Sequence, residues 1–420
     1  MAERVLPAGG GARLRGRRVL SLVIGHLSNS PRVQKQARAL RDAGAIVTVR
    51  GTWLDPGLVD EDLALARALD IDFAPVVDLR PRAGRLSDRL RHRFAREAFV
   101  RAGLLSPRVL GPGAWELLRF AVAHEADLVT VHSEPGLWVA DRLVRAGRRV
   151  VVDFEDWFSH DQLPADRPEP VRASLRRLET FLLREAAGCL ATTDAMASAL
   201  QEATHGVPRP TVVRNCFPFP TDVDAGLTRS RGPVSFYWFS QTIGPGRGLE
   251  VLAEALQRLE GEWTLTLRGA LRGNARWLEA VFGDAHRDRI HVVPPVANTR
   301  LLAATRAHDV GLALEVPYCR NKELTASNKI HEYMRAGAAV IATATAGQEE
   351  VMRESPGAGA LVPAADPAAL AAAMQALIDS PERLAASRHA ALEAARRAWD
   401  WNRHAPHLLT ALARAIEGAR

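Results

Sequence analysis

The chain has 420 residues, 47% hydrophobic and 25% charged, and its 55 lysines and arginines outweigh 48 acidic residues for a formal charge of +7. That length exceeds one ordinary core and predicts two domains, while the balanced composition excludes a disordered, collagenous or low-complexity chain. The basic excess implies partners that carry phosphate, whether nucleotide, nucleic acid or anionic lipid, without choosing among them. Three scattered cysteines, Cys189, Cys216 and Cys319, form no C-x-x-C pair, so neither a disulfide framework nor a structural zinc site is expected, and a reduced cytosolic protein is.

Residues 1–18 read as a basic flexible tail. Its Arg13, Arg15, Arg17 and Arg18 precede the apolar run V-L-S-L-V-I-G (19–25). That run is short for a secretory h-region and continues into polar residues with no A-x-A cleavage pattern, so it reads as a first buried strand. No stretch approaches the ~18–20 apolar residues of a membrane span, and the expected location is cytoplasmic, with a peripheral place at the inner face of the membrane. Further strands are predicted at 46–50, 128–132, 149–153, 188–192 and 211–213. Between the first two, Val33, Ala37 and Leu40 recur at helical spacing before Gly44. From Arg80 to Arg101 eight arginines face only Asp88 and Glu97, with Leu86, Leu90, Phe94 and Ala98 spaced four apart. This reads as a helix whose apolar stripe joins the domain core and whose arginines are solvated; contact with anionic membrane through 80–101 is the alternative.

The Pro-, Gly- and polar-rich stretch 216–233 predicts a linker between a domain at 19–215 and a second at 234–398. There strands are predicted at 234–239, 264–268, 290–293, 309–314, 339–343 and 360–362, and residues 399–420 form a last helix expected to pack toward the first domain. Strands rich in Val and Ile that hardly alternate are buried on both faces. The fold class is therefore α/β, two Rossmann-like doubly wound domains facing a cleft, with ligands at the carboxyl ends of the strands.

Two stretches carry the chemistry. S-Q-T-I-G-P-G-R-G-L-E (240–250) follows a strand and opens a helix. Gly244 and Gly246 permit close backbone approach, the helix start offers N–H donors, and Arg247 adds a fork suited to phosphate. An ordinary strand-to-helix turn explains the same residues equally well. In N-K-I-H-E-Y-M-R-A-G-A-A-V-I-A-T (328–343), Lys329 and Glu332 share one helix face while Ile330, Tyr333 and Met334 share the buried one. Alone, Lys329 and Glu332 read first as a surface ion pair, with a clamp on a phosphate and a ribose diol as the functional alternative. D-F-E-D (153–156) could imitate a metal-binding D-x-D but reads as a solvated or acceptor-facing acidic loop.

Together with S-P-R-V-Q-K-Q-A-R-A-L-R-D-A-G-A-I-V-T-V (30–49), L-V-T-V-H-S-E-P-G-L-W-V-A (128–140) and R-L-E-T-F-L-L-R-E-A-A-G-C-L-A-T-T-D-A-M (177–196), these motifs resemble the GT-B-fold glycosyltransferases, most closely the retaining glycosyltransferase family 4. The matches run in the family's order from about Val19 to His404. The resemblance implies a nucleotide-diphospho-sugar donor held by Gly244, Gly246, Arg247, Lys329 and Glu332. It also implies a glycan, glycolipid or metabolite acceptor in cell-surface polysaccharide synthesis, and no metal or other cofactor. Arg247, Lys329 and His132 would be catalytic, with Arg32 (in the loop after the first strand), His132 and Glu155 on the acceptor side.

Two positions depart from the family pattern. Leu324, beside Glu323, stands where many members carry a sugar-binding glutamate, and Thr242 stands where they carry an arginine before the phosphate loop. The resemblance implies retention of configuration. With no carboxylate candidate for a covalent intermediate, front-face attack is preferred over double displacement. A sugar-nucleotide epimerase of the same fold is the alternative enzyme. A nucleic-acid binder is suggested only by charge and lacks any aromatic interleaving, so no nucleic-acid partner is expected.

Overall fold

The computed structural model describes residues 11–80, 82–102, 106–163, 167–220 and 232–418. Residues 1–10 of the basic tail and 221–231 of the linker lie outside them. Two compact units emerge, Met1–Arg214 with His404–Arg420, and Asn215–Arg403.

The first unit is built on seven strands: β1 (Arg18–Leu22), β2 (Ile46–Trp53), β3 (Asp72–Asp78), β4 (Leu128–Val131), β5 (Val150–Phe154), β6 (Gly188–Ala191) and β7 (Thr211–Val212). They lie in the order β3-β2-β1-β4-β5-β6-β7, all parallel. The second unit carries β8 (Val234–Thr242), β9 (Trp263–Ala270), β10 (Ile290–Val293), β11 (Val310–Ala313), β12 (Ala339–Thr343) and β13 (Gly359–Val362). Their order is β10-β9-β8-β11-β12-β13, again all parallel. Helices cover both sheets, which is why every residue of β4, β5, β11 and β12 is buried and why these strands read as unbroken apolar runs. Strand order reverses between β1 and β4 and between β8 and β11. The loops leaving those neighbouring strands must part there, opening a crevice at their carboxyl ends.

Three local expectations change. The strand β3 carries Pro75, which cannot donate to a ladder, and β3 is an edge strand whose pairing with β2 shifts register between Gly51 and Thr52. Edges tolerate proline, and an apolar run broken by one is easily passed over. Within the stretch read as a flexible tail, Gly11–Leu14 is a helical turn with Leu14 fully buried, and Arg13 Nη1 meets Glu417 at 2.9 Å. In the helix Arg82–Ala102, the stripe assigned to the core faces outward: Leu86 is 62%, Leu90 48% and Phe94 72% exposed. Ala95 and Phe99, a second i,i+4 pair on the opposite side, are the buried residues. Periodicity marks a stripe but not which stripe meets the sheet.

Candidate functional site

In the second unit the glycine loop spans the gap between β8 and the helix Leu249–Leu256, on one side of the switch point. A Cβ on Gly244 would lie 2.5 Å from Asn274 Nδ2, whose amide donates to Ile243 O at 2.9 Å. Gly246 has φ +72, a conformation that costs glycine little. The loop thus folds back tightly and turns its tip outward. Arg247 is exposed at that tip, its Nη1 resting on Ser240 Oγ at 2.9 Å. The amide of Gly246, one of the donors expected for phosphate, is held by Glu250 Oε1 at 3.0 Å.

On the other side of the switch point, the helix Asn328–Ala336 lies against β11. The Tyr333 ring occupies the space a side chain at Gly311 would need, since a Cβ there would be 2.0 Å from Tyr333 Cγ. The Tyr333 hydroxyl donates to Leu312 O at 3.2 Å. Ile330, Tyr333 and Met334 are fully buried, and Gly337 ends the helix at φ +75. This packing fixes the rotation of the helix and so aims its polar residues.

Lys329 and Glu332 do not pair with each other. Lys329 Nζ meets Glu315 Oε1 at 2.5 Å, lies 3.5 Å from Ser327 Oγ, and stands 5.8 Å from the centre of the Trp238 ring. Glu332, only 1% exposed, accepts two hydrogen bonds from Arg335, at 2.8 and 3.0 Å, while the Arg335 guanidinium stacks over Phe217 at 4.5 Å. Glu315 follows β11 after a single residue, Leu314. Its backbone N–H donates to Thr343 Oγ1, which donates back to its carbonyl, both at 2.8 Å. Partial burial would raise the Glu315 carboxyl, but the ammonium of Lys329 beside it prevails and holds it below the usual range. Both cations therefore lean on one strand, Arg247 on Ser240 and Lys329 near Trp238, two residues apart along β8.

The upstream departure from the family pattern is also explained. Leu324 is buried in the unit, and Glu323 Oε1 accepts from the Ala346 N–H at 3.1 Å, in the first turn of Ala346–Arg353. Such a carboxylate at a helix start satisfies an otherwise orphan donor.

In the first unit the residues His132, Asp153, Glu155 and Arg32 come together at the carboxyl ends of β4 and β5. Arg32 is not in the loop after β1 but in the first turn of the helix Pro31–Asp42, 2% exposed. Its Nε and Nη2 bind Asp153 Oδ2 and Oδ1 at 2.7 and 2.8 Å, and Nη1 donates to Val213 O at 2.9 Å. Gln36 Nε2 adds a bond to Asp153 at 2.5 Å. Arg32 is thus a buried brace, engaged inside the unit rather than presented to an acceptor. Burial would raise the Asp153 carboxyl, but the Arg32 guanidinium outweighs it and keeps the acid well ionised. Asp153 is 1% exposed, so D-F-E-D is not a solvated loop at that residue.

His132 Nδ1 lies 2.8 Å from Glu155 Oε1 and 3.6 Å from Asp153 Oδ2. Two carboxylates on that side place a proton on Nδ1. Nε2 is buried and has no hydrogen-bond partner among the described residues. Next to it Ser133 holds φ +69 and ψ 160, a region nearly reserved for glycine that costs on the order of 1–3 kcal/mol. His132, Asp153 and Glu155 bring ligand-type atoms within 4.8 Å of one another. Arg32 already supplies a positive charge there and binds both oxygens of Asp153.

Glu315, Ser240 and Arg335 were missed by the sequence reading. One signal existed for Glu315: it is a charged residue closing the apolar run V-G-L-A-L of a buried strand at a switch point. Arg335 carried one as well, its i,i+3 spacing from Glu332 on the same helix, whereas Ser240 carries none.

A family model described as "Glycosyl transferase 4-like domain" matches residues 32–216, and one described as "Glycosyl transferases group 1" matches 236–380. No curated protein sequence matches the chain. Among solved structures, HepE of Anabaena in complex with UDP and glucose shares the fold at TM-score 0.67 and 18% identity, over 94% of this chain and 99% of that one. Sucrose-phosphate synthase of Thermosynechococcus elongatus does so at TM-score 0.67 and 17% identity, covering 93% and 96%. A structure described as a UDP-N-acetylglucosamine 2-epimerase of Listeria monocytogenes is more distant, at TM-score 0.59 and 15% identity, covering 91% and 94%. With both parallel sheets, their switch points and the two successive family matches in place, the chain belongs to the glycosyltransferases of GT-B fold.

Proposed function

We propose that this enzyme transfers a sugar, with retention of configuration, from a nucleotide-diphospho-sugar to a glycan, glycolipid or metabolite acceptor of cell-surface polysaccharide synthesis. The observation that carries the donor half is the pair of cations converging on β8 at the second unit's switch point, beside a glycine loop and a helix start. Arg247 is the exposed one, and its planar fork matches phosphate oxygens. Lys329 is held ready by Glu315. As the nucleoside diphosphate leaves, negative charge grows on the phosphate, and cations fixed in advance lower that barrier without resident metal. Gly244 and Gly246 let the diphosphate approach the backbone, and its oxygens displace Glu250 from the Gly246 amide. Glu332 takes the ribose hydroxyls as Arg335 gives way. Uridine diphosphate is the first nucleotide to test, since HepE was solved with UDP and with UDP-glucose.

In the first unit, the lone pair of His132 Nε2 accepts from a hydroxyl of the reacting sugar or acceptor, while Glu155 orients the ring. No carboxylate of the chain is assigned to attack the anomeric carbon, so the acceptor attacks on the face the phosphate leaves, and the leaving phosphate takes its proton.

The test is a thermal-shift panel of nucleoside diphosphates and their sugars. A ligand at 100 times its Kd stabilises by about 2.7 kcal/mol, and Arg247→Ala and Glu332→Ala should each remove that response. An unchanged response in both variants overturns the site. Donor turnover that needs no acceptor overturns transfer in favour of epimerisation.

A further inference from the structure

The helix Arg82–Ala102 has two unlike long sides. At about 100° per residue, Ala95 and Phe99 mark its inner side, and both are buried. His92 Nδ1, bound to Arg108 O at 2.7 Å, holds the same side to the following loop. Leu86, Leu90 and Phe94 fall within about 80° of one another, on the side turned away from the unit, and are 62%, 48% and 72% exposed. Exposed Arg89 and Arg93 border this apolar ridge on one flank and exposed Arg91 on the other. Glu97, the exposed acid on the ridge among the described residues, is tied to Arg101 at 2.7 Å.

We propose that this outer face lies on an anionic membrane surface, with Leu86, Leu90 and Phe94 entering the headgroup and acyl boundary and the flanking arginines binding lipid phosphates. An interfacial helix needs this combination: an apolar face directed away from the protein and cations at its margins, whose long stems reach back to the headgroups. The charge pattern excludes the other occupants. A second copy of the same face would set arginine against arginine. A nucleic acid would meet the arginines but leave Phe94 and Leu86 against phosphate. Only an anionic bilayer offers negative charge around an apolar interior. The inference stands on this helix alone and does not depend on the donor site.

The experiment is co-sedimentation of the full chain with vesicles of equimolar phosphatidylglycerol and phosphatidylcholine, and with phosphatidylcholine alone. The expected result is binding to the anionic vesicles that weakens with salt and falls roughly tenfold or more in each of two variants. One is Leu86→Ser with Leu90→Ser and Phe94→Ser; the other is Arg89→Gln with Arg91→Gln and Arg93→Gln. An unchanged nucleoside-diphosphate thermal shift in both variants shows that the fold and donor site survive. The proposal is overturned if the wild-type chain ignores anionic vesicles, or if either variant binds them as well. It is equally overturned if the serine variant instead abolishes self-association, which would make the face a contact between copies, or if an oligonucleotide competes the chain off the vesicles at lower charge concentration.

Discussion

The two sheets have the same switch-point geometry but place their charges in opposite ways. At the carboxyl ends of β4 and β5 the first unit closes its charges on themselves: Arg32 is 2% and Asp153 1% exposed, and each neutralises the other. Within this cluster His132 Nε2 has no hydrogen-bond partner among the described residues. Beyond β8 and β11 the second unit leaves Arg247 exposed and Lys329 partly so, on a salt bridge whose side chains are 14% and 19% exposed. A buried, closed pair positions a group, whereas an open cation meets a ligand. The same fold therefore supplies a closed scaffold in one unit and, in the proposed function, an anion-binding surface in the other.

Removing one charge from each side breaks the comparison most directly. Asp153→Ala leaves Arg32 buried without its partner, and truncating one member of such a pair costs about 3–5 kcal/mol. Arg247→Ala removes an exposed side chain, and its effect on stability should stay within about 0.5 kcal/mol. Urea unfolding of the two variants measures both. A small loss in Asp153→Ala would show that the first unit's cluster is solvated, and the contrast would collapse.

Acidity separates the units next. Glu179, 2% exposed, accepts from Ser159 N at 2.9 Å, Ser159 Oγ at 2.5 Å and Trp157 Nε1 at 3.2 Å, and burial pushes its carboxyl up to about 7. A carboxyl raised on folding favours its neutral form, so its stabilising effect is complete below the unfolded value of about 4.5 and is lost as pH rises through 7. In the second unit His308 stacks on Tyr237 at 4.4 Å, and burial, helped by Arg268, lowers it to about 4. Its effect is complete above about 6.5 and is lost as pH falls through 4. Each swing is on the order of 3 kcal/mol. The two windows overlap, so the slopes oppose and cancel in any shared transition; followed as separate transitions between pH 4 and 7.5, the first unit should fall toward high pH and the second toward low pH, with Glu179→Gln flattening the former and His308→Phe the latter. A parallel loss of both slopes in either single variant would mean that the groups do not report separate units.

What the sequence made legible follows the range of each interaction. Strands such as β5 and β12 are legible because burial on both faces writes itself into consecutive residues. The glycine loop and the helix Asn328–Ala336 were legible as local patterns of turn and amphipathicity. The pairings inside the site were not. Arg32 finds Asp153 121 positions away, and Lys329 finds Glu315 14 positions back rather than Glu332 on its own helix. Helical spacing places Lys329 and Glu332 on one side, but Arg335 sits three residues on and offers Glu332 a bidentate partner, and the end of β11 delivers a carboxylate to Lys329. The outward ridge of Leu86, Leu90 and Phe94 was misassigned for a related reason, since only the three-dimensional position of the helix says which stripe is inner.

The smallest expected effect concerns the open salt bridge. Glu315 holds Lys329 in place but also competes with a diphosphate for its charge. Glu315→Gln keeps the side-chain shape and the backbone bonds to Thr343 and removes only the negative charge. The folded chain should lose at most about 1 kcal/mol, because a partly exposed ion pair contributes little. Nucleoside-diphosphate binding, measured by calorimetry, should tighten severalfold, whereas Lys329→Ala should weaken it by about tenfold, as loss of one charge-assisted hydrogen bond would. The double variant should bind like Lys329→Ala alone, since Glu315 acts on the ligand through Lys329. If Glu315→Gln weakens binding instead, the bridge orients Lys329 more than it restrains it. If neither single variant changes binding, Lys329 does not reach the diphosphate, and the open cation of the second unit is Arg247 alone.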